Sequence, residues 1–524
     1  MRLREVREWA RARGIRAAEF RRVHDAALLH VISRVLQAMY RESRHARLAR
    51  DARGGWQLTV GRGLRLPASG PLPFRRLEIT ASRWRSPGGF LRALRRALAG
   101  TRYARVFEAL RSDFANSHAN VVLNRLIGPA LGKKAHAIEP AWQGHQYYPL
   151  PALRIGPSLK QVLDCSHLCR EAVQLPMLHA GSSQLISVRY GSYEAFFRAW
   201  SGLEPQPGEV LLPAHPWQVR LSPIARELPR STLTVEAIPL ASQRTCRVVR
   251  TGFDLKLPVD ARITGERRLL YRLNCVNAPA VSALAKHALG KSGLRALGFQ
   301  LDVASMMHSD PDAAPHLSVI VRPPVLARPG ERIVPAINLW SGRHEARRLL
   351  RGADPERFFR HYCRTLMSGP VVFCSQWGMA FEPHLQNVYV ALRGGLPVRV
   401  VLRDLDNTIL EARRIRPLAR ALGVALAHDT WRHMPAFEIG GQRMIQAMLY
   451  GHLGEVMLRL VEDHGAAAEE LRRIVEETWD ELEAAAASRA GRVKVQQLRG
   501  WSDVAKATLR SHLRRSNAVE FVRG

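Results

Sequence analysis

Two runs of β-forming residues, Val388–Leu392 and Val398–Leu402, stand either side of Arg393-Gly-Gly-Leu-Pro397. Paired glycines can take the left-handed conformations that reverse a chain within a few residues, so the segment reads as an antiparallel hairpin. Such a pair returns the chain to its starting point. The residues before the first strand, His384-Leu-Gln-Asn387, and those after the second, Arg403-Asp404-Leu-Asp406, therefore converge at one mouth. A carboxamide oxygen and two carboxylates are hard oxygen donors of the kind that suit Mg²⁺. The His384 imidazole can donate to a phosphate or carboxylate oxygen. Protein kinases hold the metal ions that bridge nucleotide phosphates with a similar Asn and Asp. A polar hairpin end made of ordinary turn residues is the plain alternative.

A chain of 524 residues exceeds one core, since single cores stop growing near ~250–300 residues. The pattern is α+β in three parts. Residues 1–145 are mixed and helical, with apolar periodicity in Ala26–Tyr40 and Phe90–Leu98, a turn-rich Pro67–Pro71, and a helix over Phe107–Ile127 that Gly128-Pro129 should stop. Residues 146–335 are richer in short β runs. Thr245–Arg250 and Phe253–Val259 flank Thr251-Gly252 as a hairpin, and Leu317–Arg322 reads as a strand ending before two prolines. Residues 336–524 hold a helix near Pro355–Leu366, the hairpin above, and C-terminal helices. Leu471, Ile474, Val475, Trp479 and Leu482 form a helical apolar stripe there, which a core-facing helix explains.

Lys and Arg number 79 against 45 Asp and Glu, a formal charge of +34. Solvated basic faces, a site for anionic small molecules, and nucleic-acid binding all fit that excess. The cations run along the whole chain without a basic tail. Six cysteines are too few for a disulfide scaffold. Cys165-Ser-His167-Leu-Cys169 hints at metal ligation, but no second ligand pair follows at zinc-site spacing, which favours buried thiols on a helix. The charged start Met1-Arg-Leu-Arg-Glu-Val-Arg lacks an apolar run after it, and no stretch of about 18 apolar residues occurs, so the expected compartment is the cytoplasm.

A second polar group comprises Ser242-Gln-Arg244-Thr245, Lys256, Thr264 and Arg268. The hairpin at Thr251-Gly252 brings the first part near Lys256. Thr264 and Arg268 share a face if their segment is helical. Hydroxyls, guanidinium groups and an ammonium suit several carboxylates or a polyphosphate; surface charge is the alternative. Gly144-His145-Gln-Tyr-Tyr148-Pro149 with Arg154-Ile-Gly156, and Ala214-His215-Pro-Trp-Gln218, read as packed turns as readily as sites. Gly290-Lys291-Ser292 lacks the Gly-rich loop of a phosphate-binding motif, and neither GxSxG nor HExxH occurs.

Taken in order, these segments resemble the NRPS-independent siderophore synthetases, the aerobactin-synthase (IucA/IucC-like) family. The family's GHPxHPxxKxRxG looks like Gly144-His145 through Arg154 and Gly156. Its HPWQ is His215–Gln218, its SxRT is Ser242, Arg244 and Thr245, and its K…T…R element resembles Lys256, Thr264 and Arg268. Its EAHGQN resembles Glu382-Pro-His384-Leu-Gln-Asn387, and its RD element is Arg403-Asp404.

The resemblance implies a hand-like architecture of thumb, fingers and kinase-reminiscent palm, with ATP and Mg²⁺ in the cleft. It implies acyl-adenylate formation on a polycarboxylate, citrate or a citryl derivative, followed by attack of an amine or alcohol, in a homodimer without nucleic acid or membrane. Ser242, Arg244, Thr245, Lys256, His384, Asn387 and Asp404 would bind the nucleotide. His145, Arg154, Thr264, Arg268 and His384 would bind the acid, with His384, Arg268 and Lys256 catalytic. Glu382, Asn387, Asp404 and Asp406 would serve the metal. This chain departs from the family where Gln146, Tyr148, Ala152 and Leu385 replace the expected Pro, His, Lys and Gly. Adenylation is expected to persist while the acid or acceptor preference differs. A kinase-like phosphotransferase and a basic nucleic-acid-binding protein are the rival functions.

Overall fold

The computed structural model describes residues 1–524 except 71–73, 75, 102, 105–106, 108–109, 132–143, 146, 169–170, 188, 341–344, 432–436, 487, 503, 507–520 and 524. Pro71, Gln146 and Cys169 of the readings above lie outside the described residues.

The N-terminal helices Leu3–Ala12, Ala17–Glu42, Pro87–Ala97 and Arg111–Leu131 pack with a three-stranded meander, Ala46–Arg50, Trp56–Val60 and Leu64–Pro67. Ser86 caps the third helix by accepting from the Gly89 N–H, with Pro87 in the first turn, where its missing N–H costs nothing. Val31, Leu36, Phe90, Phe114 and Leu123 are buried in the shared core. The expected stop at Gly128-Pro129 is corrected: the helix continues to Leu131. A proline near a helix end forfeits one rung and leaves the last turn intact.

The middle of the chain forms an eight-stranded antiparallel sheet. Its spatial order is Ser183–Ser187, Ala304–His308, Ser318–Arg322, Asp254–Lys256, Thr245–Val248, Arg230–Pro239, Val173–His179 and Leu211–Pro213. The hairpin at Gly252, whose φ is +73°, sets Lys256 opposite Thr245. The expected strand Phe253–Val259 is instead two. Pro258 has no N–H to give a ladder, and beyond it Val259–Ile263 leaves for a small sheet with Glu266–Arg268 and Arg154–Ile155.

The C-terminal part is built on a four-stranded sheet of Leu297–Phe299, Leu396–Leu402, Val388–Arg393 and Arg332–Pro335. Gly394 and Gly395 take φ of +56° and +81° at the predicted reversal. Helix Pro355–Val372 packs on this sheet, and helix Ala468–Ala484 packs on that helix, burying Leu471, Ile474, Val475 and Trp479 as its stripe predicts. Hydrophobic contacts do not respect sequence order. Val259, Ala261 and Ile263 belong to the N-terminal core, while Val281, Leu284 and Ala285 of helix Arg272–Ser292 belong to the C-terminal one. Among the described residues no helix is long and apolar enough to cross a membrane.

Candidate active site

A cavity of about 420 Å³ opens where these parts meet. The hairpin 388–402 supplies one wall. Val388 pairs with Leu402, and the Arg403 N–H donates to the Asn387 carbonyl at 3.0 Å, so the two polar flanks are joined by backbone. Glu382, His384, Asn387, Arg403 and Asp404 all line the cavity. Asp404 holds a left-handed backbone, φ +68°, which turns the chain out of the strand at that point.

Behind Asp404 lies a buried ion network. Lys256 Nζ donates to both oxygens of Asp406 at 2.7 and 2.9 Å and sits 3.0 Å from Asp404 Oδ1. Arg322 donates to Asp404 at 2.5 Å and is paired with Asp302. Asn274 donates to Asp406 at 3.2 Å. Burial opposes ionisation of Asp404, but Lys256, Arg322 and Arg244 outweigh it and hold the carboxyl well below its usual range. Burial pushes Asp302 up to about 6 despite its arginine. Lys256 is 1% exposed and, like Asp406, does not line the cavity, whereas Arg322 does.

The opposite wall is cationic. Ser242, Arg244 and Thr245 line it as expected. Ser242 Oγ accepts from the Thr245 N–H, and Arg244 donates to the carbonyls of Arg268 and Leu269 at 3.4 and 3.1 Å. Arg154 is buried and donates to Gln243 at 2.5 Å and Asn120 at 2.9 Å. The segment of Thr264 and Arg268 is not helical, so the condition for a shared helical face is not met. They flank the Thr264-Gly265 turn of a hairpin, and Thr264 takes φ +58°. Arg268 there donates to the Ile263 carbonyl at 2.9 Å and to Thr264 Oγ1 at 2.6 Å. Among the described residues, none of Arg154, Arg244 and Arg268 forms a hydrogen bond or ion pair with a carboxylate. Burial lowers Arg154 to about 9 and, with Arg268 nearby, Arg244 to about 10. Asp404 and Asp406 act on Arg244 only through their charge, and a buried guanidinium with no carboxylate in direct contact can take an anionic ligand.

His145 and Tyr148 also line the cavity. His145 Nδ1 accepts from the N–H groups of Tyr147 and Tyr148 at 3.2 and 3.3 Å, which leaves Nε2 as the protonated nitrogen of a neutral ring. Its ring centroid lies 5.7 Å from that of His384. Tyr148 is the residue at which the sequence resemblance sets a histidine in the family's motif. A Cβ on Gly265 would meet its Oη at 2.6 Å, so the phenol closes directly on the turn that carries Thr264.

Other sequence candidates fall elsewhere. His215 and Trp217 form a buried turn in which the Trp217 N–H donates to His215 Nδ1 at 3.0 Å, and Gln218 accepts from the Asp260 N–H. Cys165 ends helix Leu159–Cys165, half-buried, with its thiol pushed up to about 11 by burial. His167 lines the cavity. Gly290-Lys291-Ser292 closes a helix C-terminus, the wrong pole for phosphate. Sequence reasoning missed Arg322, Arg443, Gln243, Asn124, Asn407 and Gln446, all lining residues. Arg322 had one signal, its place at a strand end before two prolines; Gln243 and Asn407 adjoin predicted site residues in the sequence, and Asn124, Arg443 and Gln446 reach the cavity through long-range packing.

Among the described residues no group of three or more His, Cys, Asp and Glu side chains is arranged to hold a metal by itself. Glu382 is paired with Arg443 at 2.8 Å, and Asp406 faces Lys256. An ionised Asp404 beside Asn387 nevertheless fits Mg²⁺ that arrives with nucleotide phosphates, because that ion keeps few protein ligands.

Comparisons with known proteins bear on the family and the fold. Residues 135–340 match the IucA / IucC family. Residues 356–517 match the family described as ferric iron reductase FhuF-like transporter. Staphyloferrin A synthase of Staphylococcus aureus is 23% identical over 256 residues, 44% of this chain and 43% of that one, so the match spans less than half of that relative. The crystal structure of petrobactin biosynthesis protein AsbB from Bacillus anthracis shares the fold, with a TM-score of 0.75 at 16% identity over 96% of this chain and 95% of that one. So does ATP-bound aerobactin synthetase IucA from Klebsiella pneumoniae, at 0.74 and 15% over 95% and 98%.

Proposed function

We propose that this chain is a siderophore-biosynthesis ligase of the IucA / IucC family, the NRPS-independent siderophore synthetases, whose model its residues 135–340 match. It joins a small polycarboxylate, citrate or a citryl derivative, to an amine or alcohol, using ATP. The observation that carries this reading is the pairing of walls in one cavity. Among the described residues, three guanidinium groups with no carboxylate in hydrogen-bond contact line the same cavity as His384, Asn387 and an ionised Asp404. The N-terminal helices with their meander, the eight-stranded sheet and the C-terminal part correspond in this reading to thumb, fingers and palm, and a cytoplasmic homodimer is part of it.

The reaction has two transfers. A substrate carboxylate oxygen bonds to the α-phosphorus as the bond to pyrophosphate breaks. The amine nitrogen or hydroxyl oxygen then bonds to the acyl carbon, loses its proton, and AMP departs. Ser242, Arg244 and Thr245 bind the nucleotide. Arg154, Thr264, Arg268 and His145 bind the acid, and His384 donates between the α-phosphate and the reacting carboxylate. Lys256 acts indirectly by keeping Asp404 ionised and in place. Mg²⁺, held by Asp404 and Asn387, would neutralise phosphate charge. Preplaced cations are most effective where negative charge accumulates in a site sheltered from water.

Much of the surface arginine is paired with acids along helices, as in Arg472–Glu469 and Arg499–Glu476, which supports reading the +34 charge as solvated faces. The FhuF-like stretch contains two cysteines, Cys363 and Cys374, both buried, which is short of a four-thiolate redox cluster. The nucleotide product tests the reaction class. AMP with pyrophosphate supports the ligase; ADP with a phosphorylated acid would replace it with a kinase.

A further inference from the structure

His452 takes no part in the reaction proposed above, yet it is 0% exposed and sits directly behind the site. It lies on the π-helical stretch Gln446–Leu453, whose Gln446, Ala447 and Gly451 line the cavity. π-helical turns recur where a side chain must be re-aimed at a functional site.

Its hydrogen bonds run in one direction. His452 Nδ1 is 2.9 Å from the Pro383 carbonyl, which can only accept, so Nδ1 carries the proton. Nε2 of a neutral ring then accepts, and its partner is the Tyr362 hydroxyl at 2.6 Å, which must donate. Tyr362 in turn receives the indole N–H of Trp340 at 3.2 Å, a group that can only donate. All three side chains are at most 2% exposed, so no water competes for these groups. Burial holds His452 at about 3, so it stays neutral near pH 7. The carbonyl at the end belongs to the peptide joining Pro383 to His384. A second contact comes from the neighbouring residue: a Cβ on Gly451 would stand 3.3 Å from the His384 Cβ, so the π-helix backbone abuts the catalytic histidine.

We propose that Tyr362 and His452 are positioning residues for His384, a directed relay from Trp340 through Tyr362 and His452 to the Pro383 carbonyl that fixes the peptide carrying the His384 imidazole into the cavity. This rests on the assignment of His384 to the adenylation step. Nothing in the relay touches substrate. Its effect is to hold one backbone plane, and with it the approach angle of a donor to the α-phosphate, where small misplacements are costly in rate.

Two measurements on the full chain test it. In the adenylation assay, His452→Phe should lower kcat roughly 10–100-fold, the range seen when outer partners of a site residue are removed, with the KM for ATP unchanged within about threefold. His452→Asn, which can still donate to the Pro383 carbonyl, should recover most of that loss. Equal activity of the two variants, or a wild-type kcat in His452→Phe, would overturn the relay. The second measurement needs no turnover: ¹⁵N shifts of labelled histidine, with His452 assigned from its variants. A bare Nε2 and protonated Nδ1, with the Nε2 signal moving in Tyr362→Phe, supports the relay. A protonated Nε2, or a signal indifferent to Tyr362→Phe, overturns it. Should wild-type protein adenylate no acid, the proposed function fails, and the ring nitrogens alone decide the relay.

Discussion

Lys256 lies 3.0 Å from Asp404, the ammonium sealed inside the protein and the carboxylate on the cavity wall. The same ammonium also holds Asp406, so a cation that a ligand would otherwise meet is spent on organising acids. Removing it should therefore look like damage to the fold first. Lys256→Met leaves two carboxylates short of a counter-charge and should cost about 3–5 kcal/mol of unfolding free energy, read by denaturant titration. A change within about 0.5 kcal/mol, the range of an ordinary surface substitution, would show that Arg322 suffices for both acids.

Arg268 should behave in the opposite way. Its partners are the Ile263 carbonyl and Thr264 Oγ1, and no buried acid depends on it. Arg268→Ala should lower kcat/KM for the acid roughly 10–100-fold, the equivalent of one or two charge-assisted hydrogen bonds, while leaving the melting temperature near that of wild type. Full activity would remove Arg268 from the acid site.

Tyr148 and Gly265 should be energetically coupled. A methyl group on Gly265 would stand 2.6 Å from the Tyr148 Oη, which neither atom tolerates. Gly265→Ala should impair acid turnover in the wild-type background and much less so in Tyr148→Phe, where the oxygen is gone. Kinetics of the two single variants and the double variant give the coupling; additive effects would mean that the turn moves aside freely.

These relations show how far the sequence could be read. The hairpin 388–402 was legible because β-branched runs and a Gly-Gly reversal are local, and antiparallel pairing then joins Asn387 to Arg403 without further information. Ser242, Arg244, Thr245, Thr264 and Arg268 were legible as an ordered motif set, and all line the cavity. The inward burial of Lys256 was not legible, because it depends on Asp406 arriving from 150 residues away. Whether Thr264 and Arg268 share a helix was left open by the sequence, because a four-residue spacing also fits a tight hairpin; the chain turns at Thr264-Gly265. Gln446 and Gly451 come from a π-helical stretch that apolar periodicity at 3.6 residues does not reveal.

Acid should destabilise the protein through three buried histidines. Burial lowers His118 to about 4 and both His215 and His452 to about 3. Each group binds its proton in the unfolded chain below the ordinary value near 6.5 but not in the folded one. Their contribution is therefore complete above that pH and lost as pH falls toward 4 and 3. Each should cost about 1.4 kcal/mol per pH unit within that window. Chemical denaturation at pH 7 and pH 5 reads the difference, and a rise in stability on acidification would contradict the sign.

The most direct test of the whole account is pyrophosphate release by the purified chain with ATP and Mg²⁺, across citrate, 2-oxoglutarate, succinate and citryl-amides, with hydroxylamine present to trap activated acid. The account predicts pyrophosphate and a hydroxamate with at least one polycarboxylate, and loss of both in His384→Ala. No pyrophosphate with any acid, or undiminished release from His384→Ala, would contradict it.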